Sequence, residues 1–119
     1  MVTITKLKHW LPAIIWAGFI FFLSSRQFSG LPLFPGADKI IHVCIYMVLG
    51  YFIARALTKG HDVKKYQAII IATLLAGVYG LSDEFHQSFV PGRSVEILDM
   101  LSDFLGGLLG SICVSLRGL

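Results

Sequence analysis

Four long apolar blocks separated by short polar stretches dominate the chain, approximately Trp10 to Leu23, Ile40 to Leu57, Gln67 to Leu81 and Val95 to Leu116. Nothing in them alternates with a period of two over ten-residue segments, which argues against a β-barrel. Each lies at or near the roughly 20 residues that cross hydrocarbon as a helix, the first and third by borrowing flanking residues. Backbone amides in lipid have no water to bond, so such segments must satisfy themselves as helices. The pattern predicts an all-α polytopic membrane protein: a four-transmembrane-helix bundle in one domain over 1–119, with helices near 9–25, 38–57, 66–87 and 95–116.

Composition agrees, because 55% of 119 residues are hydrophobic and only 14% charged, more apolar surface than a soluble domain of this size can hide. A signal peptide is the rival reading of the first block, since Lys6 and Lys8 precede it and it ends at Leu23-Ser24-Ser25. Pro12 sits early and the exit lacks a small-x-small cleavage site, so a retained helix is expected. Cys44 and Cys113 fall at opposite depths, about 15 to 20 Å apart at 1.5 Å per residue and too far for a disulfide. They are expected to be apolar packing residues.

Four crossings put the N-terminus, the second loop and the C-terminus on one side, with Lys6, Lys8, Arg55, Lys59, Lys64, Lys65 and Arg117. The other side holds Arg26, Lys39 and Arg93. The positive-inside rule therefore predicts an N-in/C-in topology, in the bacterial cytoplasmic membrane once the resemblance below is taken into account. Asp38, Asp83, Glu84, Glu96, Asp99 and Asp103 then fall at or just within the outer side, and only Asp62 is cytoplasmic. Asp99 and Asp103 lie one and two turns into the fourth helix, where a lipid-facing carboxylate is costly, so both are expected to face the bundle interior.

Helical spacing groups these residues. Asp38, His42 and Tyr46 form one stripe, Tyr79, Asp83, His86 and Gln87 a second with Glu84 about 100° around from Asp83, and Glu96, Asp99 and Asp103 a third. Three polar stripes at one depth imply a common outward-facing pocket. Ala72, Ala76 and Gly80, Ser102, Gly106 and Gly110, and Gly50 and Ala54 are small-residue stripes that allow close helix packing and make a homodimer conceivable. Asp38 has an alternative role as a helix cap, as has Ser94, and Pro91-Gly92 reads as a turn. The outer acids outnumber Arg26, Lys39 and Arg93, so some acid must be protonated, share a proton or meet a cation. His42, Glu84, His86 and Asp99 suit a divalent metal by type but show no metal-ligand spacing, and no metal site is assigned. Ser24 or Ser25 lacks the surroundings of a nucleophile.

The run Asp38-Lys39-Ile40-Ile41-His42 with Tyr46 and Leu49-Gly50, and Ser24-Ser25 upstream, resembles the first signature of the VanZ-like membrane family. Asp83-Glu84-Phe85-His86-Gln87, Phe89-Val90-Pro91-Gly92-Arg93-Ser94, Asp99, Gly106 and Gly110 resemble the second. The resemblance implies a polytopic bacterial envelope protein, in a family whose founding member is linked to teicoplanin resistance, and it carries over Asp38, His42, Glu84, Gln87, Arg93 and Asp99. Asp103 departs from the pattern, in which Asn is common.

The function expected first is lowered susceptibility to glycopeptides or lipoglycopeptides by binding a lipid-linked cell-wall component or an amphiphile. The ligand-binding residues would be Asp38, His42, Tyr46, Asp83, Glu84, Gln87, Arg93, Asp99 and Asp103. The alternative is a membrane hydrolase or transferase acting on envelope lipid or glycan, with His42, Glu84 and Asp99 as candidate catalytic groups, with or without a metal. A proton relay is least expected, because the polar layer is one-sided. Membrane lipid is an expected partner and nucleic acid is not.

Overall fold

The computed structural model describes the backbone of residues 2–24, 37–89 and 97–117. Within them the chain is all-helical: α1 (Val2–Ser24), α2 (Ala37–Gly60), α3 (Lys65–Gln87) and α4 (Ile97–Arg117). Lys39–Gly60, Lys65–His86 and Ile97–Leu116 are long and apolar enough to cross a membrane, while the apolar part of α1 is shorter, Leu7–Leu23. α1 begins at Val2, ahead of the expected residue 9, and contains Pro12. A helix can carry proline within an apolar block when neighbouring groups absorb the lost hydrogen bond.

α2, α3 and α4 form the tight part of the bundle. α2 and α4 run parallel and pack directly on each other, with α3 antiparallel against α4, and the small residues explain how closely they approach. A Cβ on Gly50 would meet the backbone of Gly107, one on Gly106 would lie 2.9 Å from the Cβ of Tyr46, and one on Gly110 would strike the Met47 carbonyl oxygen. Across α3, Ala72 and Ala76 are fully buried, and a Cβ on Gly107 would press on Ala76 at 2.7 Å. Gly107, not read as part of a stripe, is thus the contact that α4 shares with both neighbours. These glycines and alanines pack helix on helix within one chain.

α1 lies outside this trio. Trp16 Nε1 donates to the Ile45 carbonyl at 2.9 Å and the Tyr79 hydroxyl donates to the Ala17 carbonyl, joining α1 to α2 and α3. Trp10 Nε1 meets His61 Nε2 at 2.8 Å, at the turn between α2 and α3. There the amides of His61 and Val63 both return to the Leu57 carbonyl, and Asp62 adopts a left-handed φ of 56°, which a short polar side chain tolerates better than most.

The outer faces are apolar. Leu98, Leu101, Leu105 and Leu109 line one exposed face of α4, and Ile70, Leu74, Val78 and Leu81 one of α3. So extended an apolar exterior suits lipid contact rather than water. Cys44 and Cys113 are free and exposed, which corrects the packing role expected for them: each is on the outside of its helix rather than against a neighbour. The inverse holds at one end of the trio, where Asp83, Glu84, Asp99 and Asp103 are all buried.

Candidate functional site

The buried acids come from three helices at one end of the bundle: the start of α2, the end of α3 and the start of α4. His42 stands a little over one turn into α2, and its Nδ1 is 2.8 Å from Asp103 Oδ1. The imidazole is 14% exposed and the carboxylate fully buried. Room for Asp103 is made by Gly80 on α3, where a Cβ would lie 2.7 Å from the Asp103 Cβ. The residue that departs from the family pattern is therefore the partner of the histidine, a place for which the sequence had proposed Glu84 or Asp99.

Glu84 completes the group. It is fully buried, and neither carboxylate oxygen accepts a hydrogen bond among the described residues. One ligand atom each from His42, Glu84 and Asp103 lies within 4.8 Å of the other two. Asp103 Oδ2 also has no hydrogen-bond partner among the described residues. Leaving such acceptors dry costs several kcal/mol if they are charged and uncompensated, on the order of 3–5, so a feature of this kind calls for a ligand, a proton or a cation.

The remaining expected residues sort by distance from this centre. Tyr46, 1% exposed, lies parallel to His42 with ring centroids 6.3 Å apart, and its hydroxyl makes a long 3.4 Å hydrogen bond to Asp83 Oδ2. Tyr46 thus links Asp83 to the histidine. Asp99 turns to Lys39, 3.2 Å from Oδ1 to Nζ, an ion pair at the rim with the lysine one turn before His42. His86, grouped with the second stripe, stacks on Phe21 of α1 at 4.4 Å. That removes it from the metal-capable set suggested by residue type. The side chains of Asp38 and Gln87, and all of Arg93, Ser94 and Glu96, lie outside the described residues.

Nothing in the sequence signals that Lys39 pairs with Asp99 beyond its place on the outer side, or that Gly80 makes space for Asp103. Both depend on how helices from distant parts of the chain are rotated against each other, which helical spacing alone does not specify. Taken together, the site is an imidazole set between two buried carboxylates, with a second, more exposed charge pair beside it. Such a set can take a proton from one group and return it to another, or hold a cation.

No curated protein and no solved structure matches the chain. The VanZ/LLP1 family does, over residues 9–118, a range that contains all four helices but for the first turns of α1, and every residue of the site: the chain belongs to the VanZ/LLP1 family.

Proposed function

We propose that this VanZ-like protein acts on the polar head of an amphiphilic envelope component, catalysing hydrolysis or transfer at that head while the tail lies against the apolar flanks of α2, α3 and α4. The observation that carries this reading is the contact of His42 with Asp103 at 2.8 Å beside the buried, unpartnered carboxylate of Glu84. A pure capture site gains nothing from a carboxylate held dry; a proton-transfer site needs two such groups about an imidazole. In the proposed step His42 takes the proton of the attacking hydroxyl and returns it to the leaving oxygen, while Asp103 orients the ring and the Glu84 carboxylate balances the charge that the ring gains. The pair Lys39–Asp99 at the rim lets Lys39 meet a phosphate as the head group enters.

The proposal includes the topology. Arg55, Lys59, Lys64 and Lys65 gather at the opposite end of the bundle, and by the positive-inside rule that end is cytoplasmic. All four helices then cross the bacterial inner membrane, both termini are inside, and the acid end faces outward.

A second reading keeps binding without turnover, with a lipid-linked wall component or a lipoglycopeptide such as teicoplanin as ligand; Lys39 at 25% side-chain exposure favours it, because a charge on the rim can capture a head group without reaching His42. Reconstituted protein incubated with a head-group-labelled lipid phosphate separates the two. Label released by the wild type, and lost in His42→Ala and Glu84→Gln while lipid still binds, supports catalysis. Binding with no released label in any variant, together with equal glycopeptide protection by wild type and His42→Ala in cells, would replace catalysis with capture.

A further inference from the structure

We propose that His42, Glu84 and Asp103 hold one divalent transition-metal cation of the zinc or manganese class, with its remaining coordination positions open to the head group. The inference rests on the reading above for the head group as substrate but not for where the cation sits: with the cation bound, His42, Glu84 and Asp103 serve as its ligands, and it takes over the activation of the attacking hydroxyl given there to His42.

Geometry is the first support. The three residues each offer one ligand atom, all within 4.8 Å of one another. Metal–ligand bonds of about 2.1 Å place neighbouring donors roughly 3 to 3.5 Å apart, so rotation of the side chains brings these donors onto one ion. The 2.8 Å separation of His42 Nδ1 and Asp103 Oδ1 is already close to that spacing. On binding, the cation takes the place of the proton shared by that pair, and the proton leaves to solvent.

The second support is independent of spacing. Glu84 is fully buried, it faces the pair, and neither of its oxygens accepts a hydrogen bond among the described residues. Protonating it resolves only part of the problem, because a Glu84 hydroxyl turned to Asp103 Oδ2 leaves the other Glu84 oxygen without a donor. A doubly charged cation beside Glu84 and Asp103 balances both carboxylate charges and gives Glu84 a partner that the described residues do not supply. The other acids are engaged elsewhere, Asp99 with Lys39 and Asp83 with Tyr46.

Ligand chemistry selects the ion. One imidazole nitrogen and two carboxylate oxygens suit zinc or manganese, whereas magnesium and calcium favour all-oxygen shells. Three protein ligands leave a position free, the arrangement of a catalytic rather than a structural centre. The residue types alone had pointed to His86 and Asp99 as ligands; the fold substitutes Asp103 and needs neither.

The test uses the full chain purified in detergent without a histidine tag, stripped with chelator and equilibrated with zinc, then analysed for bound metal by mass spectrometry. Wild type and His61→Ala, altered at the far end, should each retain one zinc per chain, while the near-isosteric Glu84→Gln and Asp103→Asn should lose affinity by more than about 100-fold. Cobalt absorption reports the ligand field in the same samples, and a cooperative thermal transition in chelator at or above the wild-type midpoint shows that the variants are folded. A wild type that stays metal-free at micromolar zinc, or zinc held equally by Glu84→Gln, overturns the proposal. Head-group turnover by metal-free protein would also remove the cation while leaving the catalytic reading intact; zinc bound without turnover would support the cation and remove that reading.

Discussion

The two ends of the bundle carry opposite charges and hold them in opposite ways. At the basic end Arg55, Lys59, Lys64 and Lys65 line a cleft with Tyr51, Thr58, Val63 and Val114, and Lys59, Lys64 and Lys65 are exposed. Their long side chains leave the charge in water at little cost to the fold. At the acid end Glu84 and Asp103 are fully buried, on side chains too short to reach solvent. The first arrangement is the charge bias on which the proposed orientation rests. The second keeps a costly group in place, as proteins do at working sites.

The largest expected effect separates the ends by chemistry. His42→Ala should lower head-group turnover about 10²- to 10⁴-fold, whereas Lys64→Gln should leave the rate within about twofold, since Lys64 is exposed at the far end. Release of labelled head group from reconstituted protein is the readout. Equal losses in both would mean that the ends do not differ in role.

Packing gives the next largest contrast. Gly80→Ala sets a methyl 2.7 Å from the Asp103 Cβ and should cost about 1–3 kcal/mol in unfolding free energy. Gly60→Ala, at the basic end, meets only the His9 side chain at 3.4 Å, an edge of ordinary contact, and should cost no more than about 0.5 kcal/mol. Chemical unfolding in mixed micelles compares them. The same Gly80 variant should also separate His42 from Asp103, so its turnover should fall with its stability.

The smallest effect lies in the turn of the basic end. Asp62 has φ of 56°, and glycine there relieves a mild strain while adding freedom to the unfolded chain. Asp62→Gly should shift unfolding by about 0.5 kcal/mol or less and leave turnover unchanged. A large loss would give the turn a role in positioning α2 and α3 that its exposed surroundings do not suggest.

Much of this contrast could be read before any coordinates. Apolar blocks gave the helices, and charge bias separated Arg55, Lys59, Lys64 and Lys65 from the acids. Spacing placed His42 and Tyr46 on one face of α2, which the parallel rings show. The pairings across helices were not legible. Spacing grouped Asp83 with the second stripe and set Glu84 to the side; Glu84 was a candidate partner of His42 by residue type, and its place beside the ring follows from α3 meeting α4 through Ala76, Gly77 and Gly80. Asp103 was expected in the pocket but departs from the family pattern, and its place depends on the missing side chain of Gly80, one helix away. Residues 3 or 4 apart share a face by geometry; which faces meet is settled by packing between segments remote in sequence.

The central claim is that the acid end sacrifices stability for chemistry, and Glu84→Gln measures both sides of it. Unfolding followed in chelator should show the variant at least as stable as the wild type, with a gain of about 1 kcal/mol or more from removing a buried unpartnered charge, while release of labelled head group with zinc present falls at least about 100-fold. A variant that is less stable yet turns over lipid at the wild-type rate would contradict it, and would make Glu84 a structural residue.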